Sequence, residues 1–311
     1  MNAKKILAAA VLSIAAAATP GVATAAVPTA SVLVHFDLAA GQMPENVVPD
    51  RDGSVDVTFA GARQVARIGA DGRVRVLATL PAPADPAAVT PLLGFPLTTG
   101  LVRVGRTFYV LYATGSAAET GVWTFTEGGT PRKFADLPAD GLPNGLARDA
   151  DTGTLYATDS AKGVVYAVTP HGRTRVFSAD PALTSTGFFG VNGAKIHNGR
   201  LYVSNLDRGT VLRTPVGGRQ AGVFTTVATG LTGIDDFDFV GDGETFLAGL
   251  VTQNTVVLAG GGRAPRTVLT EADGLSNPTS VLVRGGTVYV PSAAYTTQHD
   301  PNLLVTRLPR R

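Results

Sequence analysis

The 311-residue sequence predicts an all-β protein, a six-bladed β-propeller, on three observations. Helix signals are scarce beyond the N-terminal segment. Short runs rich in Val, Thr, Phe and Tyr alternate with turn residues instead, punctuated by 37 Gly and 20 Pro. A four-strand pattern then recurs roughly every 45 residues, the period of a propeller blade.

The units align on their first two strands. Blade one is PENVVPDRDGSVDVTFAGARQVARIGADGRVRVLATL, from Pro44. Blade two runs from PLLGFPLTTGLVRVGRTFYVLYATG, at Pro91, through GVWTFTEGGTPRKFADL. Blade three is LPNGLARDADTGTLYATDSAKGVVYAVTPHGRTRVFSA, from Leu142, and blade four starts at Gly190 with GVNGAKIHNGRLYVSNLDRGTVLRTPVGG. Blade five, from Gly233, is GIDDFDFVGDGETFLAGLVTQNTVVLAGGGRAPRTVLT. Each reads strand, Gly-containing turn, strand, loop, strand, turn, strand. Blade six starts with NPTSVLVRGGTVYVPSA at Asn277, takes NLLVTRL (302–308) as its third strand and lacks a fourth. SVLVHFDL, at 31–38, is expected to supply it and close the ring, which removes the exposed sheet edges. A pair of β-sandwiches would not produce the repeat.

The N-terminal segment reads differently. Lys4 and Lys5 precede the apolar stretch ILAAAVLSIAAAA (6–18), and Ala23-Thr24-Ala25 fits a small-residue cleavage site. Residues 1–26 are therefore read as a secretory signal peptide and 27–311 as one propeller domain, extracytoplasmic and free of the membrane after cleavage. There is no cysteine, so no disulfide or lipid-modified cysteine contributes. Two of the 26 cationic residues leave with the leader, against 24 acidic ones, so the mature chain is near neutral. No basic patch interleaves with aromatics, which argues against a nucleic-acid partner. A monomer is expected.

In a propeller the first strand of each blade lines the central channel, and equivalent starting positions meet at one mouth. Those positions are Glu45, Thr98, Asn144, Asn192, Asp236 and Thr279. In blade five, counting ten residues back from Phe246, as Asn192 lies ten before Tyr202, selects Asp236 from IDDFDF, leaving Asp235 exposed beside it and Asp238 deeper on the same side. Two carboxylates and two carboxamides are hard oxygen donors, suited to one divalent ion, Ca²⁺ foremost, with Mg²⁺, Mn²⁺ or Zn²⁺ as alternatives. Asn-Gly and Asp are also common at turns and strand ends, so it is the recurrence across blades that points to a site. The four histidines, His35, His171, His197 and His299, lie in turns, loops and the closing strand without metal-binding spacing, and no nucleophile elbow occurs.

With these residues in place the chain resembles the gluconolactonase, regucalcin and luciferin-regenerating enzyme family of six-bladed propellers. The resemblance rests on PENV, LPNGLA, VNGAKI and IDDFDF, in the family's blade order. It implies a metal held by Glu45, Asn192 and Asp236, with Asn144 orienting water or substrate and Asp236 acting as general base. The implied activity is hydrolysis of a lactone or related ester by a secreted, metal-dependent enzyme. Two positions differ from the family: Glu45 is followed by Asn46-Val47-Val48 rather than Gly-Pro and Trp, and Leu142 stands where sugar-lactonase members have a substrate-gripping Arg. Leu142 and the loop LTSTGFFG (183–190), with Phe188 and Phe189 near the mouth, favour an apolar ligand or a partner over a sugar. A non-catalytic propeller that keeps a structural ion and binds a peptide, glycan or protein is the alternative reading.

Overall fold

The computed structural model describes residues 30–308, which form six four-stranded antiparallel sheets arranged as the blades of a propeller. The proposed signal peptide lies outside the described residues. The inner strands are Pro44–Pro49, Leu97–Val104, Pro143–Arg148, Val191–His197, Ile234–Phe239 and Leu282–Arg284 for blades one to six. Blade six closes as the sequence predicts: Ser31–His35 pairs with Asn302–Arg307 as the outermost strand. Among the described residues, helix is limited to three short 3₁₀ turns.

The cores lie between blades rather than within them. Phe59 and Val57 of blade one pack with Leu303 and Tyr289 of blade six, and Phe177 of blade three packs with Leu201 and Leu212 of blade four. Each fully buried Leu, Val or Phe side chain contributes about 1.5–3 kcal/mol, so every blade is stabilised through both neighbours.

A recurring hydroxyl device ties the inner strands together. Every fully paired inner strand has a register shift just below its mouth end, for example between Val191 and Ala194. Such a bulge frees an amide that must find a partner. In blade one the Asn46 amide donates to Thr58 Oγ1, which donates in turn to Thr99 O of blade two. Gly145 N, Thr158 and Asn192 O repeat the relay from blade three to four, as do Gly193 N, Ser204 and Asp235 O from four to five. This relay explains Asn192-Gly193. A Cβ on Gly193 would lie 2.5 Å from Asp236 Oδ1 and 2.8 Å from Asp235 O, so only glycine lets the two inner strands approach. Asn198-Gly199 is the hairpin turn, with both residues at positive φ.

Candidate functional site at the channel mouth

The bulge register fixes which side chains share a level. Pro44 pairs with Phe59, Pro143 with Asp159, Val191 with Asn205 and Ile234 with Leu250, each just above its shift. The next residue in each strand is Glu45, Asn144, Asn192 and Asp235. Asp235, not Asp236, therefore shares the register level of Glu45, Asn144 and Asn192, one residue from the position the sequence count selects. The cause is turn length. Blade four turns through Asn198-Gly199, whereas blade five turns through Gly241-Asp242-Gly243-Glu244, between Val240 and Thr245. Lys195 pairs with Tyr202 and the equivalent Asp238 pairs with Leu247, so Tyr202 corresponds to Leu247 rather than Phe246. Asp235 is also not exposed: only 6% of its surface reaches solvent.

Asp236 belongs to a layer one residue deeper. Its Oδ2 accepts from Asn46 Nδ2 at 3.1 Å and Ser280 Oγ at 2.9 Å, and pairs with the Lys195 ammonium. This plug joins blades one, four, five and six across the channel and pairs Oδ2 with a cation already present, while Asp236 Oδ1 is buried without a hydrogen-bond partner. Below it, a cavity of about 480 Å³ opens toward the other end of the channel, past Lys195, Arg148 and Asp238. Asp238 accepts from the amides of Val283 and Phe239, which makes it a tie between blades five and six rather than a support for the mouth.

The electrostatics of the mouth are those of two carboxyls confined without a neutralising charge of their own. Burial pushes Glu45 up to about 7; the Tyr295 hydroxyl opposes this and the Asp236 charge adds to it. Burial raises Asp235 well above its usual range, with the Glu45 and Asp236 charges adding and Lys195 opposing. The Asn192 carboxamide, 1% exposed, lies close enough to Asp235 to offset part of that shift. Yet neither Asn192 Oδ1 nor Nδ2 has a hydrogen bond of normal geometry. Asn144, 8% exposed, completes the ring level. Among the described residues no three His, Cys, Asp or Glu side chains gather as a metal cluster, so an ion here needs the carboxamide. The donor set fits a hard divalent ion: two charge-balancing carboxylates with raised proton affinity beside a buried carboxamide that lacks a partner.

Tyr295 was not among the residues singled out in the sequence. Its hydroxyl donates to Glu45 Oε2 at 2.7 Å. The loop that carries it is anchored by Asn277, whose Oδ1 accepts from the Thr296 and Thr297 amides while its Nδ2 donates to Val251 O. Two residues before Tyr295, Ala293 donates to Asn277 O. A clue was available in the second-strand exit of blade six, since such exits flank the mouth in every blade. Groups that orient a ligand through its free oxygen typically change metal affinity 10–100-fold when removed. Tyr295→Phe is accordingly expected to weaken divalent-ion binding by about that factor while the ring still folds. Calorimetric titration of the purified variant checks this, and unchanged affinity would show that the hydroxyl does not orient Glu45.

Phe188 and Phe189 sit where the sequence places them, before the inner strand of blade four. Their rings stack at 4.1 Å, with Phe189 buried and Phe188 48% exposed. Asp207 organises this loop: its carboxylate accepts from Ser185 Oγ and from the amides of Thr186, Gly187, Phe188 and Phe189. Burial acts to raise the Asp207 carboxyl, but the Ser185 hydroxyl and these amides hold it below its usual range.

No family model and no curated protein sequence matches the chain. Solved structures do. A luciferin-regenerating enzyme superposes with a TM-score of 0.64 at 9% identity, over 90% of this chain and 95% of that one. A protein proposed to be a gluconolactonase gives 0.62 at 15% identity, over 91% and 92%. A catalytically inactive variant of virginiamycin B lyase from Staphylococcus aureus, with quinupristin, gives 0.60 at 16% identity, over 86% and 81%. At these identities the likeness is one of architecture, the six-bladed propeller.

Proposed function

We propose that this chain is an extracytoplasmic, divalent-metal-dependent hydrolase of a lactone or related ester, with Glu45, Asn192 and Asp235 holding the ion at the channel mouth. The observation that carries this reading is the convergence of these three side chains at one register level, with both polar atoms of Asn192 buried and unpartnered. The architecture shared with the luciferin-regenerating enzyme and the proposed gluconolactonase supports it.

A bound divalent ion would supply Lewis-acid polarisation of the substrate carbonyl. Glu45 and Asn192 provide charge and an amide oxygen for it, with Tyr295 holding Glu45 in orientation. Asp235 takes a proton from the attacking water at a carboxylate oxygen and returns it to the leaving alkoxide, so that the acyl C–O bond breaks and a hydroxy acid results. Asn144, on the adjacent strand, orients water or substrate. A second reading, a non-catalytic propeller with a structural ion and a peptide, glycan or protein partner, draws on the coverage of the ring, where Glu45, Asn144, Asn192 and Asp235 are all buried.

Metal analysis of the purified mature protein combined with a lactone panel separates these readings. Ion bound with turnover is the expected result. Ion bound without turnover favours the non-catalytic propeller, and a protein that takes up no divalent ion defeats both.

The raised carboxyls also predict a pH profile. Glu45 binds its proton more tightly in the folded chain than in the unfolded one. The associated stability of metal-free protein is therefore complete below pH 4.5 and lost as pH rises through about 7. The loss from Glu45 is about 3 kcal/mol at 1.36 kcal/mol per pH unit, and Asp235 acts in the same direction. Urea unfolding in chelator across this range measures it. A profile that is flat or rises with pH would mean that the carboxyls do not share a buried site.

A further inference from the structure

The surroundings of the ring specify the substrate further. Every inner strand enters, and every second strand leaves, at the mouth end, and the side chains at those points form one apolar cluster. Leu142 and Phe189 are buried in it, Leu93 and Phe95 pack against it from one loop and Tyr295 from another. Leu142, two residues before Asn144 of the ring, is wholly buried. Tyr295 belongs to both environments: its ring packs in the apolar cluster while its hydroxyl reaches Glu45. Hydrocarbon therefore begins where the polar ring ends, one side chain away from a carboxylate.

Seating a polyol against this wall would strip water from its hydroxyls without replacing the hydrogen bonds. A hydrocarbon group seated there gains about 0.8 kcal/mol per buried methylene. The exposed ring of Phe188, stacked on Phe189 and held by Asp207, extends the apolar surface outward to solvent. We infer that the substrate is a lactone or ester whose non-reacting part is a hydrocarbon, seated against Phe188, Phe95 and Tyr295, which Phe189 and Leu142 back from beneath. This rests on the hydrolase reading and adds the substrate class to it.

The test is a series of γ-lactones with alkyl substituents of increasing length, run with gluconolactone on ion-loaded protein. The expected kcat/KM rises about fourfold per methylene over the first few, the equivalent of 0.8 kcal/mol each, with gluconolactone the poorest substrate. Phe95→Ser and the solvent-exposed Phe188→Ser should flatten that slope, each lowering kcat/KM more for the longest lactone than for the unsubstituted ring. Should Phe95→Ser not fold, Phe188→Ser still carries the comparison. Binding of the hydroxy-acid products is measured in parallel by calorimetry, with tighter binding of the alkyl product than of gluconate expected. Turnover with no dependence on chain length, or a preference for gluconolactone, overturns the hydrocarbon assignment and leaves the hydrolase intact. Absence of turnover removes the hydrolase reading, and the assignment of a hydrocarbon substrate falls with it.

Discussion

Asp235→Asn is expected to lose both divalent-ion binding and hydrolysis, with activity falling about 10²–10⁴-fold, the usual contribution of a positioned general base. The metal-free variant should nevertheless unfold at a higher temperature than metal-free wild type. Asp235 is buried beside Glu45 and Asp236, whose charges raise its proton affinity, so a neutral amide at 235 relieves desolvation and like-charge repulsion. Asp236→Asn should behave in the opposite way. It keeps the Glu45–Asn192–Asp235 level intact but deprives the Lys195 ammonium of its partner, so ion binding persists while stability drops. Thermal unfolding with and without added ion, alongside metal analysis, reads all of these quantities. If Asp236→Asn lost the ion while Asp235→Asn kept it, the assignment of the ring level would be wrong.

The largest stability loss is expected at Lys195. Lys195→Met leaves the Asp236 carboxylate, whose side chain is 4% exposed, without its cation in the middle of the channel. Breaking a buried pair from one side costs about 3–5 kcal/mol, a large share of the roughly 5–15 kcal/mol that holds a typical domain together. Lys195 retains partial solvent contact, with its side chain 23% exposed, which places the expected loss toward the lower end. The Asn46 and Ser280 hydrogen bonds to the same oxygen remain but carry no charge. The double variant Lys195→Met with Asp236→Leu removes both charges and should recover most of the loss. Urea unfolding at neutral pH gives each value. A change below about 0.5 kcal/mol for Lys195→Met would show that the plug behaves as a solvated surface pair.

Much of the fold was legible because a propeller repeats. Turn residues, strand length and the aromatic of the second strand recur in each blade, and the missing fourth strand of blade six pointed to SVLVHFDL as its completion, as found. Three members of the ring, Glu45, Asn144 and Asn192, were legible because Pro-Glu, Pro-Asn and Val-Asn stand at the same place in their repeats. Asp235 was not. In IDDFDF two carboxylates are adjacent, and choosing between them requires the pairing register: the turn is two residues longer than Asn-Gly and the aromatic Phe246 stands one place before the equivalent of Tyr202, a net slip of one. An adjacent residue on a strand points to the other side, so a slip of one exchanges a ring member for a plug member.

The sequence by itself determined the all-β class, the six-blade repeat, the strand that closes the ring and the polar character of the inner-strand starts. These are local or periodic properties, carried by residue type and spacing alone. Only the tertiary structure decided that Asp235 faces Glu45 and Asn192, that Lys195 neutralises Asp236 beneath them, and that Tyr295 reaches Glu45 from a loop 250 residues away in the chain. Those contacts join different blades, and no periodicity within one blade specifies how its side chains meet those of another across the channel.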